Sequence, residues 1–107
     1  MAVRPLLNVP REVRAGVAFE VRILIQHVME TGFRRDAVGM VVAQDIINRF
    51  ECLVDGEEVF SATLHPAISA NPYLAFSARL ARSGTMVLRW VDDRGMEGEE
   101  RVDIKVS

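Results

Sequence analysis

A chain of 107 residues and 12.0 kDa is long enough to bury roughly two-thirds of its unfolded surface and to hold a core without crosslinks, and it is expected to form one domain spanning 1–107. A net charge of -2, from 13 basic and 15 acidic residues with no basic run longer than Arg34-Arg35, argues against nucleic-acid binding. The single cysteine, Cys52, excludes an internal disulfide and any multi-cysteine metal cage, and leaves the redox compartment open.

The N-terminal stretch has no apolar core and no small-residue cleavage site of a secretory signal, and no apolar run is long enough to cross a bilayer. Composition alone therefore predicts a soluble domain, cytoplasmic by default, with no membrane partner. Residues 1–16 hold Pro5, Pro10 and Gly16 around Leu6, Leu7 and Val9, as in an edge strand followed by a turn at Arg14-Ala15-Gly16. From Val17 to His27 the apolar residues alternate: Phe19, Val21, Ile23 and Ile25 fall on one face, and Glu20, Arg22 and Gln26 on the other. That is the pattern of a half-buried strand.

Val28 to Asp45 is a long connection interrupted by Gly32 and Gly39. A connection of this length is functional or hides a hairpin, of which Met40-Val41-Val42 would be half. Ile46 to Val54 reads as the next strand, with Phe50, Cys52 and Val54 on one face. Asp55-Gly56 is a strong type I′ hairpin signal, and Glu57 to Leu64 is the return strand. The segment Leu64-His65-Pro66-Ala67-Ile68-Ser69-Ala70-Asn71-Pro72-Tyr73 follows. Its two prolines impose extended geometry on His65 and Asn71, and the residues between them are small or apolar, so this ordered loop is expected to pack against something.

Beyond it, Tyr73 to Ala81 alternates with Leu74, Phe76, Ala78 and Leu80 inward. Ser83-Gly84 turns the chain into Thr85 to Val91, where Met86, Leu88 and Trp90 share a face. Asp92-Asp93-Arg94-Gly95 makes the last turn, and Arg101 to Ser107 closes with Val102, Ile104 and Val106 alternating. About seven short strands and no helix predict an all-β fold, an immunoglobulin-like antiparallel β-sandwich. The Cys…Trp…Cys pattern of antibody domains is missing, so the likeness is one of architecture.

Candidates for chemistry are few. His27, His65, Cys52 and the methionines raise a copper site of the His₂Cys type, but Cys52 lies mid-strand facing the core, where a thiol behaves as a small hydrophobe. No serine or cysteine stands in a Gly-rich elbow that would activate a nucleophile. Asp92-Asp93 and Glu99-Glu100 read as solvated turn and strand-start residues. His27 and His65 both fall at strand ends next to the two unusual loops, where they are expected to face each other at one end of the sandwich. No catalytic residue, cofactor or metal is predicted. What remains is a pair of apolar loops rimmed by Glu30, Arg34, Arg35 and Asp36, with Met29 and Phe33 exposed unless covered, which points to a protein-binding surface.

The segments His27-Val28-Met29-Glu30-Thr31-Gly32, Asp45 to Cys52, Val59-Phe60-Ser61-Ala62, Leu64 to Tyr73, Ser83-Gly84-Thr85 and Trp90-Val91-Asp92-Asp93 resemble the SoxZ family of bacterial sulfur oxidation, in order over nearly the whole chain. The family usually reads His-Pro-Met-Glu-Thr-Gly, and here Val28 stands in the proline position. The resemblance implies an immunoglobulin-like fold and no enzymatic activity of its own. It implies a heterodimer with a SoxY-like carrier subunit, whose C-terminal Gly-Gly-Cys-Gly-Gly arm holds sulfur intermediates, and transient docking to other Sox enzymes. It also implies a periplasmic location, reached by export with the signal-bearing partner, which replaces the cytoplasmic default. His27, Met29, Glu30, Phe33, His65, Pro66, Ile68, Asn71 and Tyr73 are the expected partner contacts. The alternative is a generic protein-binding sandwich, or a thiol- or metal-binding protein using Cys52, His27 and His65.

Overall fold

A computed structural model describes residues 5–65 and 70–107. Among the described residues there is no helix, and eight strands form two sheets. They are β1 (Leu6–Asn8), β2 (Glu12–Val13), β3 (Phe19–Leu24), β4 (Ile47–Val54), β5 (Glu57–Thr63), β6 (Tyr73–Ala78), β7 (Gly84–Asp92) and β8 (Glu97–Val106). One sheet has the order β1-β3-β6 and the other β2-β8-β7-β4-β5. All pairings are antiparallel except that of the two-residue β2 with β8. The immunoglobulin-like β-sandwich follows, with short β2 as the strand beyond the expected count.

The alternation that defines the strands also builds the core. Val21, Ile23 and Phe76 from the smaller sheet face Phe50, Cys52, Met86, Leu88, Val102 and Ile104 from the larger, all buried. Three phenylalanines tie the sheets together: Phe60 of β5 stacks on Phe76 of β6 at 4.3 Å between centroids and 4° between planes, and Phe50 of β4 meets Phe76 edge-on at 6.1 Å. Such pairs add about 0.5–1.5 kcal/mol to what their area burial supplies. The Asp55-Gly56 hairpin is as expected, with φ of 49° and 85°, the positive values that a type I′ turn requires.

The C-terminal strand differs from expectation. It begins at Glu97 instead of Arg101, because nine-residue β7 offers ladder partners down to Val91, opposite Glu97. Gly98 lies directly across from Trp90, and a Cβ there would come within 2.3 Å of the indole, so the ring occupies the space that a side chain would take.

The long connection from Val28 to Asp45 does hide a hairpin. Glu30 and Asp45 exchange two backbone hydrogen bonds, of 2.8 and 2.9 Å, and Arg35 bridges to Val41 further out. Every residue from Phe33 to Val41 is exposed, so this arm stands off the sandwich. Asp36 organises its tip: its carboxylate accepts from the N–H groups of Val38 and Met40, each at 3.0 Å.

Candidate functional site at the loop end

His27 ends the run of residues that continues β3 past Leu24. Its backbone N–H donates to Asn71 Oδ1 at 3.0 Å, and its carbonyl accepts from the Asn71 N–H at 2.8 Å. Asn71 has a φ of 53°, a conformation that asparagine tolerates better than most residues. The histidine that the sequence singled out is thus held in place by the asparagine singled out beside it.

The ring of His27 turns inward to two carboxylates that arrive from other elements. Nε2 lies 3.0 Å from Asp92 Oδ2, at the end of β7, and 3.8 Å from Asp45 Oδ1, at the foot of the arm. Nδ1 accepts a hydrogen bond from the Met29 N–H at 3.0 Å. A neutral imidazole has one N–H, so Nε2 carries the proton and donates it to Asp92. The side chains are sequestered, at 14% exposure for the imidazole and 9% for each carboxylate.

Each carboxylate turns one oxygen to the His27 ring and has the other held from outside. Asp92 Oδ1 accepts from the backbone N–H groups of Arg94 and Met96, each at 2.9 Å. Burial alone would raise the Asp92 carboxyl, but the bonds from His27 and from these two amides outweigh it and hold the group below the usual carboxylate range. Asp45 Oδ2 is 3.2 Å from Arg94 Nε, whose side chain is mostly exposed. Asp45 Oδ1 is buried and has no hydrogen-bond partner. Next to this group, Asp93 accepts from Asn48 Nδ2 at 2.8 Å, from Gln44 Nε2 at 2.9 Å and from the Ile46 N–H at 3.2 Å. Those bonds hold its carboxyl low and pin the foot of the arm.

The expected partner contacts fall in several places. Phe33 is 84% exposed, and Val28, Val38, Met40 and Val41 are exposed with it. Tyr73 is exposed on the outer face of the smaller sheet, in register with Leu24 and Leu6, so the three share one face. His65 and Asn71 are exposed, and Glu30 is half-buried and ion-paired to Arg34 at 2.7 Å. Met29 is a correction: it is buried at 4% exposure, because a φ of 50° turns it into the core, where its sulfur accepts the Ile47 N–H at 3.2 Å. Pro66 and Ile68 lie outside the described residues. The ring nitrogens of His27 engage Met29 and Asp92, not His65. Cys52 is fully buried, and desolvation pushes its thiol up to about 12.

Asp45, Asp92 and Arg94 were not expected at a site, and Asp92 is no solvated turn residue. Among the described residues, one set of ligating side chains converges within 4.8 Å, and it joins His27 to Asp45 and Asp92, not to Cys52 or His65. The signal in the sequence was Asp45, a lone carboxylate directly before the apolar Ile46-Ile47.

The family model described as sulphur oxidation protein SoxZ matches residues 7–103. No curated protein matches the chain. Among solved structures it is similar to a superoxide reductase (neelaredoxin) from Ignicoccus hospitalis, at 21% identity and a TM-score of 0.71 over 96% of this chain and 80% of that one. It is also similar to a putative superoxide reductase from Thermotoga maritima, at 15% identity and a TM-score of 0.69 over 96% and 85%. At these identities the likeness is one of fold.

Proposed function

This chain belongs to the SoxZ family, with the role in sulfur oxidation which that membership carries, and from that premise we propose that it is the non-catalytic subunit of a two-chain sulfur carrier. In this reading it pairs with a SoxY-like subunit in the periplasm, which it reaches by export with that partner. It helps present the partner's cysteine-bound intermediates to the enzymes that act on them. The observation that carries the proposal is the apolar surface left open around the loop end: Phe33, Val38, Met40 and Val41 on the arm, and Leu6 and Tyr73 on the smaller sheet. Obligate interfaces are larger and more apolar than transient ones, and large apolar residues grouped at one end favour a permanent partner. The buried thiol of Cys52 supports the division of labour, since an un-ionised sulfur in the core makes a poor acceptor for sulfur intermediates.

Native mass spectrometry of the chain, alone and after co-expression with a protein ending in Gly-Gly-Cys-Gly-Gly from the same source, tests the reading. A stable one-to-one complex is the expected result. Asp in place of Tyr73 or Ile68 should leave the domain folded and weaken pairing at least tenfold. A chain that stays alone beside that partner sinks the proposal, and unchanged pairing in both variants removes the two residues from the interface.

A further inference from the structure

The side chains of His27, Asp45 and Asp92 converge and are turned away from solvent, so they offer little contact surface to a carrier subunit. Two carboxylates aimed at one point place two negative charges in a sequestered space. Among the described residues the guanidinium that pairs with them is that of Arg94, which is 71% exposed and reaches Asp45. Buried carboxylate oxygens are normally satisfied by hydrogen bonds, partner charges or metals, and Asp45 Oδ1 has no hydrogen bond although it points at the His27 ring. Each carboxylate has its other oxygen anchored, Asp92 by the amides of residues 94 and 96 and Asp45 by Arg94. Outer contacts of this kind orient carboxylates that ligate a metal.

We propose that His27 Nε2, Asp45 Oδ1 and Asp92 Oδ2 form a binding site for a first-row divalent cation of the zinc class. One ligand atom from each of the three residues lies within 4.8 Å of the others, and Nε2 stands 3.0 Å from Asp92 Oδ2 and 3.8 Å from Asp45 Oδ1. Zinc ligands at roughly 2.0–2.1 Å in a tetrahedron stand about 3.3 Å apart, so small side-chain movements close the set and leave a fourth position for water. One imidazole and two carboxylates suit zinc, iron(II) or manganese, and the lack of a thiolate excludes a soft-metal site.

Binding has a defined cost in hydrogen bonds. With the cation on Nε2, the single ring proton of neutral His27 resides on Nδ1, so no net proton leaves a neutral ring. The Met29 N–H then faces another donor in place of its present acceptor, and that bond breaks. The backbone at Met29, which leads into the arm, therefore moves when the cation enters.

The test is zinc titration of the purified, tag-free, chelator-treated chain by calorimetry and native mass spectrometry, with amide spectra recorded alongside. The expected result is one zinc per chain, a rise in Tm on addition, and a shift of the Met29 amide resonance. Asp45→Asn, which keeps shape and removes the charge, and His27→Gln should each weaken binding at least tenfold and abolish the Tm rise. Asp45→Asn carries the test if His27→Gln does not fold. No zinc bound at equimolar concentration, zinc bound equally by Asp45→Asn, or tighter binding of magnesium than of zinc each overturns the assignment. Zinc binding is read on the chain alone and pairing in the presence of the carrier subunit, so the failure of one reading is distinguishable from the failure of the other.

Discussion

At the scale of single residues, burial decides what each polar group can do. Cys52 sits opposite Phe60 on one side and Leu88 on the other, in surroundings with no charge to stabilise a thiolate, and its thiol rises from the ordinary value near 9 to about 12. Below pH 9 the folded and unfolded chains both keep the thiol proton. Above it the unfolded chain ionises and the folded chain does not, so stability falls as pH climbs from about 9 towards 12, by at most about 1.4 kcal/mol per pH unit. Urea denaturation at pH 7.5 and pH 10 should show a smaller alkaline loss in Cys52→Ala than in the wild type, and a thiol reagent should label Cys52 only as the chain unfolds. Equal alkaline losses, or rapid labelling of the native protein, would contradict this account. Gly98 makes the complementary point. Its missing Cβ leaves room for a rigid indole, so Gly98→Ala must displace either Trp90 or the strand, at a cost on the order of 1–3 kcal/mol. Thermal denaturation of Gly98→Ala measures it, and an unchanged Tm would show that the indole has somewhere else to go.

At the scale of elements, the strands were legible because a half-buried strand writes itself in a period of two. Phe19-Val21-Ile23-Ile25 and Phe50-Cys52-Val54 sit inward as that pattern predicts. The start of β8 was not legible, since Glu97-Gly98-Glu99-Glu100 has no apolar alternation and is a strand only because β7 runs beside it. The arm was legible only as a hidden hairpin around Met40-Val41-Val42, because side-chain bonds to backbone from Asp36 and Asp93 hold it, and such bonds leave no periodicity to read. The candidate site failed in the same way: His27 drew attention by residue type, but its partner Asp92 lies 65 positions away inside what reads as an ordinary turn. These bonds make the foot of the arm separable from the sandwich. Asp93→Ala removes acceptors from Asn48, Gln44 and the Ile46 N–H, and should cost about 1–3 kcal/mol. Hydrogen exchange at the Ile46 amide should accelerate while the amides of the β4–β7 ladder keep their protection. If exchange rises uniformly across both sheets, the arm and the sandwich unfold as one unit and the separation is wrong.

At the scale of the whole molecule, the radius of gyration of 16.1 Å exceeds the roughly 13 Å expected of a compact chain this long. The sandwich accounts for little of the excess, because its longest strand has ten residues and spans about 34 Å, against a long axis of 58 Å. An exposed arm carrying Phe33 and Val38 at 84% and 81% exposure is costly for an isolated chain, since burying each such side chain returns roughly 1.5–3 kcal/mol. The same surface that would serve a permanent partner will therefore seek another copy when that partner is missing. Sedimentation velocity of the chain alone should show concentration-dependent self-association at tens of micromolar. Phe33→Asp combined with Val38→Asp should return it to monomer without lowering the Tm by more than a few degrees, because neither residue touches the core. Association that persists in the double variant would move the sticky surface to the Leu6–Leu24–Tyr73 face of the smaller sheet. A wild-type chain that stays monomeric throughout would mean that the arm folds its apolar side chains against itself, and that pairing with a carrier subunit draws its free energy from elsewhere.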